Sequence, residues 1–176
     1  KMRGGAAHHT KWKNLKEPMP AAAVIGANPT LTLAAVMPIP NTMSEYNFAG
    51  LLQSSPIELV QCKTIDLKVP ANAEIVIEGK ILPHERELEG PFGEFTGYYA
   101  GGRSPQPAIR VKRIYHRNNP ILTCAPQHKP VDETGLLKGI AGAAQIWRAL
   151  EACGLPDILG VWNHEAGPAT RFTVVQ

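Results

Sequence analysis

The middle of the chain alternates apolar and polar residues, the period of strands with one buried face. The clearest run is 73–81, where Ile75, Ile77 and Gly79 fall on one side and Glu74, Val76, Glu78 and Lys80 on the other. A second spans 108–115, with Ile109 and Val111 opposite Arg110 and Lys112. Partial alternation over 58–69 and short apolar runs at 21–25 and 120–124 predict further strands. These segments are separated by Pro/Gly turns without intervening helices, which predicts an antiparallel sheet or barrel. Residues 1–17 are polar and read as a short helix or loop. Asn28-Pro29 is an N-cap followed by proline at the first helical position, opening a short helix to about Val36. Met37-Pro38-Ile39-Pro40 breaks it, and Ser44 caps a second helix to about Leu52.

After Asp132 the period changes. Positions 136, 137, 140, 144, 147 and 150 are apolar, which predicts a helix over 134–153, capped by Asp132 or Thr134 and stopped by Gly154 and Pro156. A strand at 158–162, a turn at 165–168 and a strand from Arg171 follow. The expected organisation is a β-rich domain over 1–131, a linker helix over 132–154 and the first strands of a second domain over 155–176. The chain starts at Lys1 without an initiator methionine and stops inside the strand-like run 173–176, so a fragment of a longer protein is expected.

Composition narrows the classes. Apolar residues make up 44% of the chain, enough for a packed core, and the 19% of charged residues is too few for a disordered chain. The net charge of +3 is scattered. The densest basic cluster, Arg110–Arg113, is interrupted by Val111 and reads as a solvated strand face rather than a nucleic-acid patch. Cys62, Cys124 and Cys153 are odd in number and widely spaced, which gives neither a zinc knuckle nor a disulfide framework and points to a reducing, cytoplasmic setting. No apolar run approaches the ~20 residues of a membrane span.

Residues 88–99 carry the most unusual chemistry. Glu89 and Glu94 flank a Gly-Pro-Phe-Gly turn whose glycines allow close backbone approach and whose proline stiffens it. Two carboxylates aimed into one pocket raise the pKa of one of them, so that it holds a proton near neutrality. On residue chemistry alone, a solvated turn with two glutamates explains the segment at least as well. Glu45, just inside a capped helix, is placed to hold a hard cation or to interact with the helix dipole, and the latter is the commoner case. The six histidines form no ligand pattern, and Gly-x-Ser-x-Gly is absent.

At these segments the sequence resembles the UbiD family of decarboxylases. The match is carried by Val36-Met37-Pro38-Ile39-Pro40 with Ser44-Glu45-Tyr46 and Phe48-Ala49-Gly50; by the run from Asp66 to Gly79; by Glu89-Gly90-Pro91-Phe92-Gly93-Glu94 with Thr96-Gly97-Tyr98; and by Pro130-Val131-Asp132-Glu133-Thr134. The resemblance implies an α+β chain: a split β-barrel of the flavin reductase-like kind that binds prenylated FMN, then a linker helix and the start of an α/β oligomerisation domain. It implies Glu94 as proton donor and acceptor, with Glu89 as its partner in a Glu-Arg-Glu network whose arginine lies upstream of Lys1. Glu45 would anchor the flavin phosphate through Mn2+ (or Mg2+) and K+. Ala35 and Met37 would touch the flavin, and Phe95 and Thr134 would line the substrate pocket. The reaction implied is reversible decarboxylation of an aromatic or α,β-unsaturated acid with release of CO2. A flavin prenyltransferase would supply the cofactor, and the assembly would be a homo-oligomer.

The resemblance departs at its start, where Met2 precedes Arg3-Gly4-Gly5 in place of the family's metal-binding histidine. Two other classes compete: a flavin-binding or oligomer-forming module without carboxy-lyase chemistry, and a flavin reductase-like oxidoreductase, which has no use for paired glutamates.

Overall fold

The alternating β-branched run becomes β4 (Ile75–Ile81), the middle strand of a three-stranded antiparallel sheet. The structure, a computed structural model, describes residues 4–37, 39, 42–94, 97–99, 101–125, 131–165 and 171–176. β4 pairs on one side with β1 (Met19–Ile25), Ala23 opposite Ile77, and on the other with β7 (Ile109–His116), Ile77 opposite Ile114. β-Branched residues suit this pleated surface because their stiff side chains pack against cross-strand neighbours. The register between β4 and β7 shifts between Glu78 and Gly79, a β-bulge. Gly79 permits it, since a Cβ there would lie 2.4 Å from the Arg110 carbonyl oxygen.

The chain divides into two compact units. The first comprises Lys1–Pro29, Ser55–Gly90 and Arg103–Thr123. Besides the sheet it holds α1 (Gly5–Leu15) and two short antiparallel pairs: β2 (Leu59–Gln61) with β3 (Lys68–Pro70), and β5 (Glu87–Glu89) with β6 (Ser104–Gln106). Its core is small: Cys62, Ile65 and Val69, with Ala22, Val24, Leu67 and Val76 packed against them.

The β4 face that carries Val76 therefore turns inward, and it takes Glu78 with it. Glu78 is 2% exposed. Its Oε1 accepts from the Lys63 N–H at 3.1 Å, and its Oε2 accepts from the Thr64 N–H at 2.8 Å and the Thr64 hydroxyl at 2.6 Å. Burial alone pushes this carboxyl upward, but the Thr64 hydroxyl, the two backbone donors and the Cys62 thiol outweigh it and hold Glu78 below the usual carboxylate range. The Cys62 thiol is raised in turn, first by burial and then by the Glu78 charge and hydrogen bond.

The second unit comprises Thr30–Ser54, Pro91–Gly102 and Cys124–Gln176. It contains most of α2 (Pro29–Val36), then α3 (Glu45–Gln53), α4 (Glu133–Ala152) and the pair β8 (Val161–Asn163) with β9 (Thr173–Val175). Of the two caps expected for α4, Asp132 is the one used: its side chain accepts from the Gly135 N–H. β8 docks on α4 through buried Asn163, whose Nδ2 donates to the Gly139 carbonyl while its Oδ1 accepts from the Thr173 hydroxyl.

One expectation needs correction. Residues 120–124 form no strand; the Ile121 N–H donates to the Glu74 side chain rather than to a neighbouring strand, and Ile121 and Leu122 stay exposed. The described strands make one three-stranded sheet and three two-stranded pairs, with no closed barrel among them. The architecture is a mixed α/β one with small sheets. The turn at 165–168 lies mostly outside the described residues.

Because the folded Glu78 carboxyl is depressed, its contribution to stability is present above the ordinary carboxylate range and is lost as pH falls through its folded value. Glu78→Gln should lower stability at pH 7 by about 3 kcal/mol, the scale of hydrogen bonds lost from a charged acceptor. It should also flatten the acid limb of the stability profile. Urea melts of both proteins from pH 7 down to pH 3 measure both effects, and an unchanged acid limb would refute the linkage.

Candidate functional site

The three glutamates singled out in the sequence occupy three kinds of backbone. Glu45 is the first residue of α3. Ser44 caps that helix, its hydroxyl oxygen accepting from the Asn47 N–H at 3.1 Å, so the first turn that carries Glu45 is fixed. Glu45 is half-buried, and its charge lies at the helix end where backbone N–H groups favour an anion.

Glu94 sits where the chain doubles back. Gly93 and Tyr99 form an isolated antiparallel bridge, the Glu94 N–H donates to the Tyr98 carbonyl, and the Gly97 N–H returns to the Glu94 carbonyl at 2.8 Å. Gly97 has φ +85°, a left-handed conformation that glycine adopts without a Cβ clash. Glu94 is half-buried within this bend, while Phe92, Tyr98 and Tyr99, close to it in sequence, are 52%, 74% and 72% exposed.

Glu89 is the exposed last residue of β5, immediately before the Gly-Pro-Phe-Gly segment that it flanks. It belongs to the first unit, whereas Glu45 and Glu94 belong to the second. Within their own units, no described residue donates a hydrogen bond to the carboxylates of Glu45, Glu89 or Glu94.

Ala35 is exposed near the end of α2, and Met37 follows it, half-buried, its N–H donating to the Leu33 carbonyl. Phe95 lies outside the described residues, as does the side chain of Thr134, whose backbone is in the first turn of α4. Among the described residues, no group of three or more His, Cys, Asp or Glu side chains gathers as a metal would require. Glu45 therefore offers a single carboxylate to a cation. The described donor set does not by itself make a metal site, and Met2 lies outside it.

Sequence reasoning missed Glu78. Its spacing from Val76 placed it on a nominally polar face, and only the inward turn of that face shows that it is buried.

The protein-family model described as 3-octaprenyl-4-hydroxybenzoate carboxy-lyase Rift-related domain, UbiD, matches residues 1–130. Among solved structures, an evolved dimeric form of the UbiD-class enzyme HmfF from Pelotomaculum thermopropionicum, in complex with prFMN, is 35% identical with a TM-score of 0.87, covering 99% of this chain and 40% of that one. Vanillic acid decarboxylase from Sedimentibacter hydroxybenzoicus is 32% identical with a TM-score of 0.85, covering 97% and 36%. Apo 3,4-dihydroxybenzoic acid decarboxylase from Klebsiella pneumoniae is 32% identical with a TM-score of 0.86, covering 100% and 38%. The chain thus spans about two-fifths of the length of these relatives.

The Ser44 cap is open to a direct check. Ser44→Ala should cost about 1 kcal/mol, the usual worth of an N-cap hydroxyl, and should raise amide exchange at Asn47. Hydrogen exchange reads both, and unaltered protection at Asn47 would show that the cap does not hold this turn. The matched residues 1–130 and the solved relatives together place this chain in the UbiD family.

Proposed function

We propose that the protein containing this chain is a carboxy-lyase that removes CO2, reversibly, from an aromatic or α,β-unsaturated carboxylic acid with prenylated FMN as cofactor. The observation that carries this reading is the Glu94 bend: a half-buried glutamate whose backbone is bonded to Tyr98 and Gly97, with the exposed aromatic residues Phe92, Tyr98 and Tyr99 close to it in sequence. Family membership and the prFMN in the HmfF structure support the cofactor. The vanillic and 3,4-dihydroxybenzoic acid decarboxylases support an aromatic acid as substrate.

When bound, the prenylated flavin supplies an electron sink for the pair left behind as CO2 departs. The chain's own part is proton transfer and positioning. Glu94 delivers a proton to the substrate carbon that has lost CO2, and in the reverse direction removes it. Its backbone bonds fix the bend from which the side chain projects, which limits the reorganisation needed at the moment of transfer. Glu89 sets the protonation state of Glu94 through an intervening arginine contributed by the rest of the protein.

Glu45 holds the charged end of the cofactor. A dianionic phosphate beside a carboxylate repels it, so this role requires a cation, Mn2+ (or Mg2+) with K+, between the two. No step of the reaction passes through that cation. Ala35 and Met37 contact the flavin, and Phe95 and Thr134 border the substrate. In this reading 1–131 is a split-barrel flavin-binding domain, α4 is the linker helix and 155–176 opens an oligomerisation domain. The protein works in the cytoplasm as a homo-oligomer, supplied with cofactor by a flavin prenyltransferase.

A cofactor-binding module without carboxy-lyase activity is the second reading, favoured by Met2 where the family carries histidine. One pair of variants of the full-length protein, produced together with a flavin prenyltransferase, separates the two. Glu94→Gln should abolish CO2 release, by at least about a thousandfold for loss of an essential proton donor, with the flavin spectrum retained. Glu45→Ala should instead release the flavin. Turnover unchanged in Glu94→Gln would remove Glu94 from the chemistry. Absence of CO2 release from the wild-type holoprotein with every aromatic acid tried would favour the module.

A further inference from the structure

The return of the chain at Glu94 has a specific geometric cause. Glu94 donates its N–H to the Tyr98 carbonyl at 3.1 Å, and its own carbonyl accepts from the Gly97 N–H at 2.8 Å. Just outside, Gly93 and Tyr99 pair as an antiparallel bridge. Gly97 and Tyr98 on the returning chain therefore both oppose the single residue Glu94. That unequal count, with a left-handed residue first, is the signature of a glycine β-bulge closing a short hairpin loop. Gly97 has the backbone this requires, at φ +85°.

Bulges of this kind bend a strand and re-aim the side chain beside them. Both backbone groups of Glu94 are engaged with the bulge, so the bulge sets the direction in which the Cα–Cβ bond of Glu94 leaves the bend. A slip of one residue in such a pairing exchanges the two faces of the strand. A residue with a branched Cβ does not hold the left-handed conformation, so at position 97 it would open one of the two bonds or shift the pairing. Asparagine holds it more readily than other side chains, and Asn119 does so in this chain at φ +59°.

We propose that Gly97 is a positioning residue for the proton transfer assigned to Glu94: its left-handed backbone holds the bulge that fixes where the Glu94 side chain leaves the bend. The proposal rests on the reading of Glu94 as proton donor. Gly97 has no side chain of its own to offer and acts through Glu94. This gives a physical use to the glycine in the run Thr96-Gly97-Tyr98, which proton transfer alone does not call for.

The test uses the full-length, flavin-loaded protein and 3,4-dihydroxybenzoate or vanillate, whichever is turned over. Gly97→Val, Gly97→Ala and Gly97→Asn are compared with wild type and with Glu94→Gln, and rates are taken per bound flavin. Gly97→Val should lower kcat by about a hundredfold, the scale of a small misplacement near a reacting centre, with KM and the flavin spectrum unchanged. Its solvent deuterium isotope effect on kcat should exceed that of wild type, because proton transfer becomes the slow step. Gly97→Asn should recover most of kcat and should outperform Gly97→Ala, although alanine is smaller, since the order follows tolerance of the left-handed conformation rather than bulk.

The proposal is overturned if Gly97→Val turns over as wild type does, or if its loss lies in flavin loading or KM while kcat per flavin and the isotope effect stay unchanged. It is also overturned if Gly97→Ala surpasses Gly97→Asn. Should Gly97→Val fail to fold, the order of the other two variants and the isotope effect of Gly97→Ala decide the matter. Glu94→Gln separates the two levels. Turnover retained in Glu94→Gln, or absent from wild type with both acids, removes the reading of Glu94 and the proposal with it. An inactive Glu94→Gln beside an unimpaired Gly97→Val removes the proposal alone.

Discussion

A carboxylate with 2% exposure is tolerated only where its charge is met by donors, and in the first unit that condition organises the chain. Glu78 projects from β4 onto the segment between β2 and β3, where the backbone of Lys63 and Thr64 and the Thr64 hydroxyl satisfy it. The turn cannot move without stranding the charge, and the charge could not be buried without the turn. The same segment carries Cys62 and Ile65, two of the three residues at the centre of the small core. With so little apolar volume buried, a charged, fully bonded group supplies the fixity that packing alone supplies in larger domains. The bulge at Gly79 follows Glu78 directly and lets β7 approach β4 to within the space a Cβ would fill.

Much of this was legible in the sequence, unevenly. Caps were the most reliable signals, because a hydroxyl or carboxylate accepting from an N–H three residues on is a local event: Ser44 and Asp132 both cap as their positions imply. The long alternating runs gave β4 and β7 nearly to the residue. The pairing of β5 with β6 was not foreseen, since Glu87–Glu89 and Ser104–Gln106 are three residues each and too short to show a period. The run 120–124 looked like a strand because it is apolar, but an apolar run does not specify what its backbone will bond to, and here Glu74 takes the Ile121 N–H. In α4 the helical period predicted the helix but not its partner: Leu136, Leu137 and Ile140 stand exposed, while small Ala143 is buried and Gly139 lies against Asn163.

The candidate site was legible through its motifs and much less through its chemistry. Gly-Pro-Phe-Gly between two glutamates announces a turn, but residues 90–93 form none; the chain doubles back after them, between Glu94 and Tyr98. The same spelling set Glu89 beside the motif without saying what holds it, and the strand pairing with Ser104 places it at the end of β5. Spacing along a chain sets how far apart two side chains can be; it does not set which backbone element each will join, and that is decided by hydrogen-bond partners distant in sequence.

Burial is often taken as the mark of an acid–base residue, and by that measure Glu78 would be the first choice in this chain. The electrostatics point the other way. Its donors favour the ionised form strongly enough to overcome burial, so the carboxyl is held below its ordinary range and carries no proton to give near neutrality. Every acceptor position that faces a donor is also one the substrate cannot use. Glu94 differs in its contacts: its backbone is bonded to Tyr98 and Gly97, while its carboxylate receives no bond from a described residue of its unit. The two glutamates thus divide along a physical line: at Glu78 the carboxylate itself is bonded into the fold, whereas at Glu94 it is the backbone that is bonded.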